Sequence, residues 1–151
     1  MSWYNEAIFY HIYPLGLTGA PKENDYGTPV HRLNTLLPWI DHIKEFGCTA
    51  LYIGPLFESV GHGYETTDYK KLDSRLGTNE DLKNFVAACH EKGIRVIIDG
   101  VFNHCGSFNK WLDREKIYDK DESYEKGAFL QEDSPLSLIH ISEPTRRSYI
   151  S

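Results

Sequence analysis

Hydrophobic positions along the first hundred residues alternate between strand-like and helix-like patterns. The β-branched and aromatic run 8–13 predicts a strand that Pro14 closes. The next apolar positions recur at three- and four-residue steps, which is typical of an amphipathic helix. Because Pro38 has no N–H to donate, we expect this helix to start close to Thr35 and to end at Gly47. Its apolar stripe is Leu33, Leu36, Leu37, Ile40, Ile43 and Phe46.

The alternation then repeats. The apolar run 50–53 has the form of a buried strand. Thr78, with Asp81 three residues later, resembles a capping box and predicts the start of a second helix. A third apolar run, 96–98, leads into Asp99. Strands that alternate with helices predict an α/β fold with a parallel sheet covered by helices. The stripe of the second helix is Leu82, Phe85, Val86 and Cys89.

The predicted parallel sheet also indicates where a ligand would bind. In such folds ligands bind outside the carboxyl ends of the strands. That rule selects the loop after Tyr13, the segment 54–77 and the segment 99–106. A structureless loop as long as 54–77 is uncommon unless it is functional. We therefore expect functional residues in these three segments.

Composition narrows the classes of function. The 151 residues carry a formal net charge of −6 and no basic run, which argues against nucleic-acid binding. No apolar stretch approaches the roughly 18 residues of a spanning helix, and the start has no signal-peptide pattern, so we expect no membrane partner and a cytoplasmic location. Cys48, Cys89 and Cys105 have neither paired nor metal-type spacing, which favours reduced, mostly structural thiols.

The segment 96–104 ends in a distinctive motif, Asp99-Gly-Val-Phe-Asn103-His104. It resembles the first conserved region, Asp-x-Val-x-Asn-His, of the α-amylase family of glycoside hydrolases, family 13. Four further segments are similar to that family's first two strands and to the loop and helix start that follow them. They are residues 7–14, 51–59, 63–69 and 77–82.

The resemblance implies a role for individual residues. Tyr64 would lie against the sugar ring next to the scissile bond, since an aromatic face suits the apolar face of a pyranose. His104 would donate a hydrogen bond to that sugar. Asp99 would orient the arginine that accompanies the nucleophile, and Asp68 would be structural. Asn103 is a calcium ligand in many members of the family; otherwise no cofactor is required.

Each of these residues could instead have a purely structural role. Without the motif, Tyr64 would be read as an ordinary core tyrosine, and His104 as a satisfied structural histidine. Asp99 could simply cap the next turn. Glu58 and Glu65 are interpreted as solvated or loop-bracing. The surrounding pattern favours the site interpretation for Tyr64 and His104.

The same resemblance identifies what this chain lacks. Retaining hydrolysis needs two carboxyl groups about 5–5.5 Å apart, and the family places them after later strands of a (β/α)8 TIM barrel. A barrel takes roughly 250 residues. We therefore expect residues 1–106 to be the first three strand-helix units of a partial barrel and 107–135 the start of the insertion after strand 3. An incomplete sheet predicts instability of the isolated chain.

The remaining segment, 136–151, contains the run Leu-Ser-Leu-Ile-His-Ile-Ser-Glu-Pro-Thr-Arg, which looks like a translated sequencing adapter, although a short strand with a polar tail is the alternative. The expected function is therefore that of a fragment of a retaining hydrolase or transglycosylase. Its partner would be an α-glucan or malto-oligosaccharide, and the fragment itself would lack nucleophile and acid/base. The alternative is a non-catalytic sugar-binding or partner-binding relative. A free-standing doubly wound binding domain is disfavoured, because no Gly-x-Gly-x-x-Gly turn that could hold a phosphate follows the first strand.

Overall fold

A computed structural model describes residues 2–111 and 113 of the chain. Strands and helices alternate through the described residues, with short 3-10 turns at Trp3–Asn5 and Arg32–Leu36. The elements are β1 (Phe9–Ile12), α1 (Pro14–Leu17), α2 (Leu37–Glu45), β2 (Ala50–Ile53), β3 (Phe57–Ser59), β4 (Thr66–Leu72), α3 (Asn79–Glu91) and β5 (Arg95–Ile98).

Three of the strands form a parallel sheet in the order β1-β2-β5. Their register aligns Ile12 with Ile53 and Ile53 with Ile98, so the three strands end side by side. Crossovers through α2 and α3 separate the strands, because parallel neighbours cannot be joined by a tight turn. The predicted parallel sheet covered by helices is thus confirmed.

The core lies between the helices and one face of this sheet. Side chains alternate along a strand, so one face carries Ile12, Leu51 and Ile53, all of them buried. The opposite face carries Phe9, His11 and Tyr52. The helices contribute Ile40, Ile43, Phe85 and Cys89 to the same buried cluster. Burial raises the pKa of the Cys89 thiol to about 11, which is the behaviour of an inert structural cysteine.

The first long helix differs in detail from its prediction. Residues around Thr35 form a 3-10 turn, and α2 begins at Leu37 with Pro38 in its first turn. Four members of the predicted stripe, Leu33, Leu36, Ile40 and Ile43, are buried, but the prediction was wrong at Leu37 and Phe46, which are exposed. Both residues lie at the helix ends, where the chain changes direction and the helical periodicity no longer decides which side chain faces the core.

The predicted start of the second long helix is confirmed. Thr78 accepts a hydrogen bond from the Asp81 backbone N–H, and the Asp81 carboxylate accepts one from the Thr78 N–H, which completes a capping box at the start of α3. The helix ends at Glu91, before Gly93. Phe85 and Cys89 of the predicted stripe are buried, and Leu82 and Val86 are partly buried.

The segment 54–77 is not a structureless loop, and this part of the prediction was wrong. Its strands β3 and β4 pair antiparallel as a hairpin with an irregular register. The hairpin was not predicted because its strands contain polar residues and therefore lack a hydrophobic strand pattern. Thr66, Thr67 and Asp68 are buried in β4 although the hydrophobic pattern places none of them in a core.

The described residues divide into two compact units, one up to Gly106 and one from Ser107 onward. In the second unit Asn109 accepts two hydrogen bonds. Its carbonyl accepts one from the Asp113 backbone N–H, and its side-chain Oδ1 accepts one from the Trp111 backbone N–H. Most of the predicted insertion start, 107–135, and all of the predicted tail, 136–151, lie outside the described residues.

Candidate functional site

The carboxyl ends of β2 and β5 bring Asp99 and Tyr52 together. The Asp99 backbone N–H donates to the Ile53 carbonyl at 3.0 Å, which continues the parallel ladder by one residue. Burial raises the pKa of Tyr52. The Asp99 carboxylate raises this pKa further, through a hydrogen bond with the Tyr52 hydroxyl and through its negative charge. The His11 ring stacks on Tyr52 with their centroids 4.8 Å apart. Sequence motifs indicated a role for Asp99 but did not single out Tyr52 or His11.

Gly54, directly after β2, makes room for this arrangement. Its φ of +152° is a conformation that side chains disfavour, and an added Cβ would collide with the Asp99 side chain. The end of β2 therefore approaches Asp99 as closely as a residue without a side chain allows. A larger residue at this position would displace the Asp99 carboxylate.

Tyr64 lies between β3 and β4 with 45% of its surface exposed, so it is not a core tyrosine. The negative charge that Tyr64 acquires on ionisation is close enough to raise the pKa values of both Tyr52 and Tyr13, although burial is the larger cause for each. The structure thus places Tyr64 near Tyr52, which in turn contacts Asp99. Tyr13, at the end of the first predicted strand, is a further neighbour that the sequence reasoning missed.

Asn103 and His104 follow β5 in an exposed segment. The Asn103 Nδ2 lies 3.4 Å from the His104 Nδ1. Behind them, the Tyr69 hydroxyl lies 2.7 Å from the Val101 carbonyl and 3.0 Å from that of His104, which fixes the segment to β4. Within the described part of the chain no hydrogen bond joins His104 to Tyr64 or Asp99.

Asp68 is buried in β4, opposite Glu58 in the hairpin. Its Oδ1 accepts a hydrogen bond from the Lys70 backbone N–H at 2.8 Å. Glu58 is also buried and therefore not solvated. Its carboxylate accepts from the Ser74 backbone N–H at 2.6 Å and pairs with Lys71 at 3.0 Å. These contacts brace the hairpin from within, which agrees with the loop-bracing interpretation of Glu58.

A buried ion pair beneath the hairpin went unnoticed in the sequence. Arg75 and Asp73 are only 3% and 0% exposed, and two parallel hydrogen bonds of 2.8 and 2.7 Å join the guanidinium to the carboxylate. Arg75 also donates to the Pro21 and Lys22 carbonyls and to the Ser59 hydroxyl. The pair therefore fastens the loop after α1 to the hairpin that carries Tyr64. No sequence signal distinguishes these charged residues from solvated ones.

A metal site is not visible among the residues described. Residues 2–111 and 113 contain no group of three or more His, Cys, Asp or Glu side chains placed to hold a metal ion. Asn103 supplies one amide oxygen, which is a suitable calcium ligand but only one of the several that calcium takes. Calcium at Asn103 therefore stays a prediction. In the same part of the chain no helix is long and apolar enough to cross a membrane.

The chain is similar to known glycoside hydrolases in sequence. A family model described as alpha amylase, catalytic domain, matches residues 26–145. Alpha-amylase 3 of Dictyoglomus thermophilum is 38% identical over 111 residues, which are 73% of this chain and 21% of that protein. A cyclomaltodextrinase of a Bacillus species is 35% identical over 137 residues, covering 80% of this chain and 25% of the relative. The chain thus spans about a fifth to a quarter of these relatives.

Solved structures give the same result for the fold. The cyclic alpha-maltosyl-(1→6)-maltose hydrolase from Arthrobacter globiformis, in complex with maltose, superposes with a TM-score of 0.61 at 29% identity, covering 82% of this chain and 32% of that one. A mutant trehalose-6-phosphate hydrolase of Bacillus licheniformis gives a TM-score of 0.60 at 28% identity, covering 74% and 20%. The parallel strand-helix units described above are similar to the amino-terminal part of these folds.

Proposed function

The chain belongs to the α-amylase family of catalytic domains, and from that premise we propose that it is part of a retaining glycoside hydrolase or transglycosylase acting on α-glucosidic bonds of starch-like glucans or maltodextrins. The observation that carries the proposal is the placement of one motif. Asp99, Asn103 and His104 follow β5 at the carboxyl edge of the parallel sheet. The relatives' names support the substrate class, since they include an α-amylase and cyclomaltodextrinases.

Each site residue has a role in this proposal. Tyr64 offers its exposed ring to the apolar face of a glucose unit. His104 donates a hydrogen bond to a hydroxyl of the same sugar. Asp99 orients an arginine supplied by a later strand, and Tyr52 holds the Asp99 carboxylate in place. Asp68 supports the hairpin from within.

The chemical step needs groups beyond these residues. A retaining mechanism requires a carboxylate nucleophile and a second carboxyl group that acts first as acid and then as base. In our proposal later strands of the barrel supply both, and the 151-residue chain binds sugar without cleaving it. Incubation with soluble starch should release no reducing sugar. Measurable release by the purified chain would refute this part of the proposal.

Sugar binding by Tyr64 can be measured on the chain itself. We expect saturation-transfer NMR to detect maltoheptaose in contact with the chain, and Tyr64→Ala to weaken its affinity about threefold to tenfold. The matched control is Tyr4→Ala, which removes another exposed tyrosine, in the 3-10 turn before β1. Equal affinities in Tyr64→Ala and wild type would contradict the sugar-binding role of Tyr64.

The same assay does not separate the enzyme proposal from the second class of function. A non-catalytic sugar-binding relative would also lose maltoheptaose binding in Tyr64→Ala. Only the two catalytic carboxyl groups, which later barrel strands would supply, separate such a relative from an enzyme. The sugar-binding test and the identity of the nucleophile are therefore independent questions.

A further inference from the structure

The residues between β3 and β4, 60–65, are named here the Tyr64 loop. Tyr13 holds this loop from the end of β1. Its hydroxyl donates to the His62 carbonyl at 2.9 Å, across 49 residues of sequence. Burial raises the pKa of Tyr13, so the hydroxyl stays protonated and remains a donor at neutral pH.

Glu65 holds the same loop from its other end. One carboxylate oxygen accepts the His62 backbone N–H at 3.1 Å, and the other lies 3.2 Å from the His62 Nδ1. The Glu65 carbonyl accepts the Val60 N–H at 3.2 Å. Burial opposes ionisation of Glu65, but the hydrogen bonds from His62 outweigh it and lower the pKa of the carboxyl. The carboxylate form that makes these bonds therefore dominates at neutral pH.

Gly63 supplies the third constraint. Its φ is +99°, and an added Cβ would collide with the Pro55 ring and lie 3.3 Å from the Leu15 side chain. The backbone therefore packs closely against Pro55 and Leu15 at the residue that precedes Tyr64. Both sequence neighbours of Tyr64, Gly63 and Glu65, are thus fixed in place.

We propose that Tyr13 and Glu65 are positioning residues, which hold the Tyr64 loop so that the Tyr64 ring faces a bound sugar. This inference rests on the proposed sugar-binding function. Its physical basis is preorganisation, because a loop that is already ordered loses less conformational entropy when the ligand binds. Neither side chain needs to touch the sugar. Each acts through His62, whose carbonyl and N–H groups they bind.

The experiment compares local opening with sugar affinity in the full chain. Tyr13→Phe removes only the hydroxyl donor, and Glu65→Ala removes both acceptors. Loss of one hydrogen bond should speed hydrogen exchange of the Tyr64 loop about threefold to tenfold, with the His62 amide most affected in Glu65→Ala. Maltoheptaose affinity should fall at least about threefold. Glu65→Gln, which keeps one acceptor oxygen, should lie between wild type and Glu65→Ala.

Matched controls remove the same groups elsewhere. Tyr4→Phe deletes an exposed hydroxyl, and Glu80→Ala deletes an exposed carboxylate at the start of α3. Both should leave exchange of the Tyr64 loop and the maltoheptaose affinity at wild-type values. Exchange of the β2 amides reports on the fold and should not change in any variant.

The outcomes separate the two proposals. If wild type binds maltoheptaose and the Tyr13 and Glu65 variants bind it equally well, the positioning role is wrong, whether or not exchange of the Tyr64 loop rises. If wild type itself shows no maltoheptaose contact, the sugar-binding function fails, and the positioning role fails with it. Faster loop exchange together with weaker binding, in both variants and in neither control, supports the positioning role.

Discussion

Tyr52 and Asp99 interact at the carboxyl ends of β2 and β5. Asp99 follows β5, and Tyr52 reaches it from β2 while stacking on His11 of β1. One side chain from each of the three parallel strands therefore contributes to the same cluster. Such convergence at the carboxyl ends of parallel strands is where these folds bind ligands.

Asp99→Asn should lower the pKa of Tyr52. Burial of the phenol persists in the variant, but the carboxylate that accepts its hydroxyl and repels the phenolate is gone. The Tyr52 pKa should therefore fall part of the way towards about 10, the ordinary value. NMR titration of the tyrosine ring carbons measures it, and Asp25→Asn in the exposed loop is the control. An unchanged Tyr52 pKa would show that the two side chains do not interact.

Some residues of the site could be predicted from the sequence and others could not. The strand end at Asp99 was predictable because an apolar run stops there, and the motif indicated its chemistry. Tyr52 and Tyr13 were not predictable, because an aromatic residue in an apolar run is normally assigned to the core. Arg75 and Asp73 look like solvated charges until their burial is known.

At the scale of elements, the start of α3 is fixed by a network centred on Asp81. Its carboxylate accepts hydrogen bonds from Thr78 and Asn34 and lies 2.6 Å from the His31 Nδ1. Burial would raise the pKa of Asp81, but these hydrogen bonds hold it well below its usual range. The helix therefore depends on an ionised carboxylate.

Thr78→Ala should destabilise α3 by about 1 kcal/mol, because it removes the side-chain cap. Hydrogen exchange of the α3 amides should rise about fivefold, with Thr28→Ala in an exposed loop as the control. Because the pKa of Asp81 is lowered in the folded chain, the stability of α3 should fall on acidification. Stabilisation by Asp81 is complete above about pH 4, the ordinary range of an aspartate, and is lost as the pH falls towards its folded-state pKa. If neither Thr78→Ala nor acidification changes the hydrogen-exchange rates of the α3 amides, the stabilising role of this network is wrong.

Elements differ in how well their sequence predicts them. The capping box and the strand runs of β1, β2 and β5 carry local signals, so their order was predictable. The β3-β4 hairpin was not, because its buried polar residues are satisfied by partners distant in sequence. Ser59, for example, donates to Asp73, and Glu58 accepts from Ser74. Such pairings are absent from any local pattern.

In the molecule as a whole, the parallel sheet has two edge strands within the described residues, β1 and β5. Among residues 2–111 and 113, strands β1 and β5 each pair with β2 and with no other strand. On the face away from the helices, Phe9, His11 and Tyr13 are exposed. Open strand edges beside exposed apolar side chains promote association.

We therefore expect the purified chain to bind the dye ANS and to self-associate. Sedimentation velocity at increasing concentration measures the association. Phe9→Lys on the open edge strand should reduce it, whereas Phe46→Lys, at the exposed end of α2, should change it little. A soluble monomer that melts cooperatively without binding ANS would show that the sheet needs no further strands.

The most direct measurement is the nucleotide sequence that follows the codon of Pro135 in the source DNA. Our account predicts that the native reading frame departs there from residues 136–151 and continues into a fourth barrel strand. That strand should be followed by an arginine and, two residues later, by the aspartate nucleophile that Asp99 and its arginine serve. A residue other than aspartate at that position would contradict the enzyme proposal and favour a non-catalytic sugar-binding relative.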